Sequence, residues 1–230
     1  GGVDSASDAP VVVTEPLRKA MLALSRARTV PDKLKALSRI RPADLAPVPP
    51  AVVEPRTGLS MGESQALTTA RWGVTREEQD ELALASHRNL AQAWGGGFYD
   101  DLVTPYLGVA RDAILRPDTS LEALAKLRPV FGTGEGASMT AGNSTALTDG
   151  AAVVLLAEEE HARGRGWPVL ARVVDAQVAA SDSVTGAEDL LLAPTRAIPE
   201  LLSRNGLTLD DFDLIEIHEA FAATVIATLK

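Results

Sequence analysis

Apolar residues return at helical spacing twice in the first forty positions. Leu17, Met21 and Leu24 follow Pro16, which suits the first position of a helix. Leu34, Leu37 and Ile40 follow Pro31 in the same way. The five prolines between Pro42 and Pro55 then require an extended, irregular loop. The segment Thr75–Trp94 is the clearest helix, with Thr75 and Glu78 forming a capping box. Its Leu82, Ala83, Ser86, Leu90, Ala93 and Trp94 are expected to make one buried stripe, and Gly95–Gly97 ends it. A second capping box, Thr119 with Glu122, opens a short helix that Pro129 stops.

From Asp149–Gly150, read as a turn, the pattern changes. The continuous apolar run Ala151–Ala157 suits a strand buried on both faces. A short helix is expected over Glu158–Arg163, a strand over Val169–Ala179, and a helix over Ala193–Asn205 closed by Gly206. A short strand at Leu214–Ile217 leads into a helix over Glu219–Lys230. Alternating strands and helices imply an α/β fold around a parallel or mixed layered sheet.

Composition and charge narrow the possible functions. The 230 residues carry a net charge of −9, which opposes general nucleic-acid binding, because neutralising phosphates needs clustered Lys and Arg. Positions 18–41 run against that balance, with eight cations (Arg18, Lys19, Arg26, Arg28, Lys33, Lys35, Arg39, Arg41) and one acid, Asp32. Such a stretch is either a solvated helix face or a docking surface for an acidic partner or anionic lipid. With no cysteine, these residues hold no disulfide, thiolate metal site or cysteine nucleophile. The start, Gly1–Gly2, and the stop inside the apolar pattern Phe221, Val225 and Leu229 read as cuts in a longer chain.

Three stretches could carry chemistry. Ser60–Met61–Gly62–Glu63–Ser64 leads into a helix. Thr140–Ala141–Gly142–Asn143–Ser144–Thr145 combines small side chains, which let a ligand approach the backbone, with hydroxyls and an amide. By itself this is a weak signal, since such runs are more often plain turns, and it contains no phosphate-binding glycine pattern. His218–Glu219 falls where an apolar strand meets a helix, the edge at which open α/β sheets bind ligands. An imidazole there can donate toward a developing oxyanion, or simply be a satisfied structural pair with its neighbour. His87 and His161 are read as structural or exposed.

Taken in order, "MGESQ", "TREEQDELALASH", "LAKLRPVF", "TAGNSTALTDGAAVVLLAEE" and "EIHEAFA" resemble the thiolases over nearly the whole chain. The basic insertion, "LLLAPTRAIPELL" and the histidine before Glu-Ala-Phe resemble the β-subunit type of the fatty-acid oxidation trifunctional complex. The resemblance implies a layered αβαβα thiolase fold, incomplete here, with an inserted and mostly helical loop domain. It divides the chain into the tail of an N-terminal core (1–9), a coenzyme-covering loop domain (10–140), a return to that core (141–166) and the start of a C-terminal core (167–230).

The resemblance further implies transfer of an acyl group between a 3-ketoacyl-CoA and coenzyme A, a co-substrate rather than a bound cofactor. The alternative is a non-catalytic, sterol-carrier-like lipid-binding relative. The acyl-accepting cysteine, the Gly-His-Pro histidine and a second cysteine would lie outside these residues. Within them, His218 corresponds to an oxyanion-hole position, with Glu219 ordering that corner. Coenzyme or substrate contacts would come from Met61, Arg116, Phe131, Ala141, Asn143, Thr145, Ala220 and Phe221, and no metal is implied. A homodimer or tetramer, a hydratase/dehydrogenase partner or membrane surface docking on Arg18–Arg41, and a cytoplasmic or mitochondrial-matrix location complete the expectation.

Overall fold

The computed structural model describes residues 1–8, 10–48 and 50–230. The expected domain boundary at position 9 and one proline of the irregular loop, Pro49, lie outside the described residues. Among the described residues there are four short strands: β1 (Gly2–Asp4), β2 (Pro129–Phe131), β3 (Met139–Thr140) and β4 (Gly150–Ala152). The helices are α1 (Glu15–Arg26), α2 (Val30–Leu37), α3 (Met61–Arg71), α4 (Arg76–Gly95), α5 (Leu121–Ala125), α6 (Glu159–Gly164), α7 (Pro194–Asn205) and α8 (Ala222–Leu229). They fall into two compact units, Gly1–Val52 with Leu147–Leu156, and Val53–Ala146 with Ala157–Lys230.

In the first unit α1 and α2 form a hairpin. Thr14 caps α1 by accepting from the Leu17 N–H at 3.4 Å, and its hydroxyl donates to the Asp44 carbonyl at 2.7 Å. Thr29 caps α2 from Asp32, and Pro16 and Pro31 occupy the first turns as their fixed φ favours. Only Ala20 and Ala36 are buried on these helices, so Met21, Val30 and Leu34 stay exposed beside the cations. Strand β1 pairs antiparallel with β4 through Gly2–Ala152, Val3–Ala151 and Asp4–Gly150. Asp149 forms no turn with Gly150; its carboxylate instead accepts from the Ser7 N–H at 2.8 Å and the Ser7 hydroxyl at 2.5 Å.

The second unit has its core where α3, α4 and α8 meet a short 3₁₀ turn at Leu190–Leu192. Val74, Leu192, Ala223 and Ala227 are buried there, with Ile226 packed against them. Alanines on α8 let the helices approach closely. Thr75 with Glu78 closes the expected capping box on α4, and Ser60 with Glu63 closes a further one on α3. Gly206 ends α7 in the left-handed region, at φ 66°, as a C-cap glycine should.

Several local expectations fail, each for a physical reason. The capping residue of α5 is Ser120, which accepts from Ala123; Thr119 is used one step earlier in a turn onto the Arg116 carbonyl. Helix α8 starts at Ala222 rather than Glu219, because Ala220 and Phe221 are taken up in extended pairing with Ser144 and Thr145. The apolar run after Ala152 leaves the strand and is exposed, Val153 to 87%, and Val169–Ala179 and Leu214–Ile217 form no strand. Apolar content makes a segment suitable for a buried strand, but a strand also needs a neighbour for its N–H and C=O groups. Among the described residues no segment supplies that neighbour.

Candidate functional site

The Thr140–Thr145 loop is built around Asn143, which is almost fully buried. Its side-chain oxygen accepts from the Thr140 N–H at 2.7 Å. Its amide donates to Asp80 at 2.9 Å and to the Ser138 carbonyl at 3.2 Å. Asp80, buried on α4, also accepts from the Arg76 guanidinium at 2.7 Å. That same guanidinium donates to the Leu127 carbonyl at 3.2 Å and to the Leu124 carbonyl, holding α5 against α4. An Arg–Asp–Asn chain of this kind satisfies each buried polar group in turn and fixes one loop geometry. The Asn143 amide, expected to meet a ligand, is committed to the framework.

This loop in turn holds the segment that carries His218 and Glu219. Ser144 and Phe221 form an antiparallel bridge, the Thr145 N–H donates to the Ala220 carbonyl at 2.9 Å, and the Ala222 N–H donates to the Asn143 carbonyl at 3.0 Å. From the other side, the Ser86 hydroxyl of α4 donates to the Glu219 carboxylate at 2.6 Å. The corner is thereby pinned between a loop and a helix that lie far apart in sequence.

Between them opens a cleft of about 510 Å³. Of the ten site residues named from sequence, Arg116, Ala141, Asn143, Thr145, His218 and Glu219 line it. Met61, Phe131, Ala220 and Phe221 do not. One wall is the α4 face Leu82, Ala83, Ser86, His87 and Leu90. This corrects the expected stripe: Leu82, Ala83, Ser86 and Leu90 are half-buried cleft wall, whereas the fully buried line of α4 is Gln79, Asp80, Leu84 and Trp94. Helical spacing marks a face that meets something, without saying whether that is core or cavity.

His87 is a cleft residue that the sequence did not single out. Its Nδ1 accepts from the Arg116 backbone N–H at 3.4 Å, so the neutral ring helps fold the Arg116 segment over the cleft. Burial pushes this imidazole below its usual 6.5; the Arg116 charge adds to that, and the Glu219 carboxylate opposes it. Arg116 itself turns its guanidinium back onto the Ala113 and Leu115 carbonyls, at 2.7 and 3.1 Å. The signal for His87 was present, since it stands four residues beyond Ala83 on the cleft-facing side of α4.

Of the four remaining residues, Phe131, Ala220 and Phe221 lie where α8 begins, and Met61 opens α3 beside them only through its neighbour Gly62. Phe131 meets Phe221 edge to face, with ring centroids 5.8 Å apart. Gly62, next to Met61 at the start of α3, lies so close that a β-carbon there would fall 2.4 Å from the Phe131 ring. Glycine is required at position 62 for close approach. Among the described residues no group of three or more His, Asp and Glu side chains is arranged to hold a metal.

Comparison with known proteins places this framework. The N-terminal domain model of the thiolases matches residues 1–160 and their C-terminal domain model matches 167–230. The chain belongs to the thiolase family. It is 44% identical over 236 aligned positions to a 3-ketoacyl-CoA thiolase of Yersinia pestis (strain Pestoides F), covering 100% of this chain and 53% of that protein. The human mitochondrial 3-ketoacyl-CoA thiolase, solved in complex with CoA, superposes with a TM-score of 0.75 at 27% identity, over 99% of this chain and 53% of that one. The acetyl-CoA acetyltransferase of Bacillus anthracis gives 0.74 at 30% identity, over 99% and 54%. The fold is therefore thiolase-like α/β, and the chain spans about half the length of the relatives it matches.

Proposed function

We propose that the chain works as part of an acyl-CoA C-acyltransferase. The reaction is thiolytic cleavage of a 3-ketoacyl-CoA by coenzyme A, giving acetyl-CoA and a shortened acyl-CoA, or its reverse condensation, and its setting is fatty-acid β-oxidation. The observation that carries this reading is the cleft that gathers Arg116, Thr145, His218 and Glu219 in a chain 44% identical to a 3-ketoacyl-CoA thiolase.

In this reading the coenzyme arm lies along the α4 face and the Thr145 loop. The small residue Ala141 leaves room for it, Gly142 lets the loop pack closely on Leu124 and Leu127, and Arg116 lies on the path of the coenzyme's anionic end. His218 donates a hydrogen bond to the thioester oxygen as negative charge develops there, stabilising the enolate without becoming a base. Glu219 keeps that histidine in place. Met61, Phe131, Ala220 and Phe221 form an apolar wall behind the acyl group. The acyl-accepting cysteine, its activating histidine and the second cysteine are supplied by sequence outside these 230 residues, which contain no cysteine. Residues 10–140 act as the region that covers the coenzyme, between core portions at 1–9, 141–166 and 167–230.

Assayed in the full-length gene product with acetoacetyl-CoA and coenzyme A, His218→Ala lowers kcat by about 10²–10³-fold, the typical effect of deleting one oxyanion donor. Unchanged turnover removes His218 from the site, and acyl-CoA binding without any cleavage replaces the enzyme with a lipid-binding protein. The 230 residues by themselves give no thiolysis.

The same reading gives the basic α1–α2 hairpin a partner. Cations beside the exposed Met21, Val30 and Leu34 support docking to an acidic hydratase/dehydrogenase subunit or an anionic membrane. Reversing charge at Arg26, Arg28, Lys33 and Lys35 then weakens association, more so at low salt, where the attraction is strongest. The enzyme is a homodimer or tetramer in the cytoplasm, or in the mitochondrial matrix of a eukaryote, where coenzyme A thioesters are turned over.

A further inference from the structure

We infer that Ser86 is a positioning residue for the oxyanion corner: its hydroxyl, held on a rigid helix, sets the Glu219 carboxylate and through it the direction in which His218 faces the cleft.

The inference rests on the function proposed above and adds a residue to it. The His218–Glu219 segment is exposed and has no regular secondary structure. On its C-terminal side it is tied by backbone pairing at Ala220 and Phe221. On its N-terminal side the residues from Leu214 to Ile217 make no strand. Among the described residues, Glu219 joins no ion pair within 4 Å, and its side-chain hydrogen bond is the one from Ser86. At 2.6 Å this is a short O–H to carboxylate bond of the charge-assisted kind, about twice as strong as a neutral one.

Ser86 is well suited to the task. It sits near the middle of α4, a helix of 20 residues fixed through Asp80 to the Asn143 loop and through Arg76 to α5. The hydroxyl therefore projects from a part of the unit whose position is set by contacts other than those of the corner. Among the described residues no side-chain hydrogen bond or ion pair anchors His218, so its aim depends on its neighbour. Misplacing a donor by about 1 Å is enough to cost on the order of 10²-fold in rate.

The test uses the full-length gene product and compares Ser86→Ala, Ser86→Thr, Glu219→Ala and the double variant Ser86→Ala/Glu219→Ala, with His218→Ala as reference. Ser86→Ala is expected to lower kcat about tenfold, with KM for the acyl-CoA within about twofold and an unaltered melting temperature, as outer-shell partners typically cost 10–100-fold. Ser86→Thr keeps the hydroxyl and restores the rate. The double variant is no slower than Glu219→Ala, because both remove the same hydrogen bond. If Ser86→Ala turns over normally, or loses only KM, or if Ser86→Thr is as slow as Ser86→Ala, the inference is wrong. Losses that multiply in the double variant also overturn it, and the comparison with Glu219→Ala remains decisive if Ser86→Ala alone is poorly folded. An inactive His218→Ala beside a normal Ser86→Ala defeats this inference and leaves the proposed function standing; a fully active His218→Ala defeats the proposed site itself.

Discussion

The Asn143 amide donates to the Asp80 carboxylate across 2.9 Å, in a buried contact between residues 63 positions apart. It joins the central helix to the loop that carries the Thr145 side of the cleft. Removing the amide leaves the Asp80 oxygen and the Thr140 N–H without partners in the interior. Asn143→Ala should therefore destabilise the fold by about 2–4 kcal/mol, since each orphaned buried group costs about 1–3 kcal/mol. Denaturant unfolding of the full-length variant measures this, and a change below 0.5 kcal/mol would show that water replaces the amide.

Gly62 and Phe131 cannot both keep their places if position 62 gains a side chain. The ring that a β-carbon would strike is itself packed on Phe221, so it has little room to retreat. Gly62→Ala is expected to cost about 1–3 kcal/mol, the usual range for overpacking. A Phe131→Leu change in the same protein should recover part of that loss, as read from melting temperatures.

A third prediction concerns the Asp189 carboxylate, which accepts three side-chain donors. Thr68 donates at 2.8 Å, Arg71 at 2.9 Å and the Trp72 indole N–H at 2.9 Å. It therefore fastens the Leu190–Leu192 turn to the end of α3. Asp189→Ala should lose about 1–3 kcal/mol, because its donors are left partly desolvated. Asp189→Asn, which retains one acceptor, should fall between that variant and the parent. Trp72 fluorescence reports the change directly.

For His87 the expected effect is one of pH. Burial keeps its folded pKa below the ordinary 6.5, with Arg116 acting in the same sense and Glu219 against it. The folded state thus binds fewer protons than the unfolded chain in the window just below 6.5. Stability from this group is fully present above that value and declines as pH falls through the depressed pKa. His87→Gln should flatten the acid limb of a stability–pH curve, and the ring resonance followed by NMR should titrate below 6.5. A midpoint at or above 6.5 would contradict the assignment.

How much of the site could be read along the chain depends on how local its causes are. The cap at Thr75, the prolines opening α1 and α2 and the left-handed glycine after α7 are contacts within a few residues, so their patterns carried through; the Ser60–Glu63 box is as local but was not read as a cap. The cleft residues Arg116, Thr145, His218 and Glu219 were named from motif resemblance, and the structure brings them to one place. Ser86 and His87 were overlooked as site residues because a helix face looks the same to sequence whether it meets core or cavity. Asp80 and Gln79 were overlooked because polar residues on a helix are ordinarily assigned to solvent, and only their distant partners reverse that.

The sequence by itself determined which segments coil, where they stop, that the charge on α1–α2 opposes the rest of the chain, and that five ordered motifs are those of a thiolase. Tertiary structure alone decided that Asn143 braces the loop instead of offering its amide. It also decided that Ser86 reaches Glu219, and that among the described residues the apolar runs at 153–157, 169–179 and 214–217 meet no partner strand. The reason is the same in each case. Helical turns satisfy their hydrogen bonds within the segment, whereas strands, buried polar groups and cleft walls are completed by residues the local pattern does not contain.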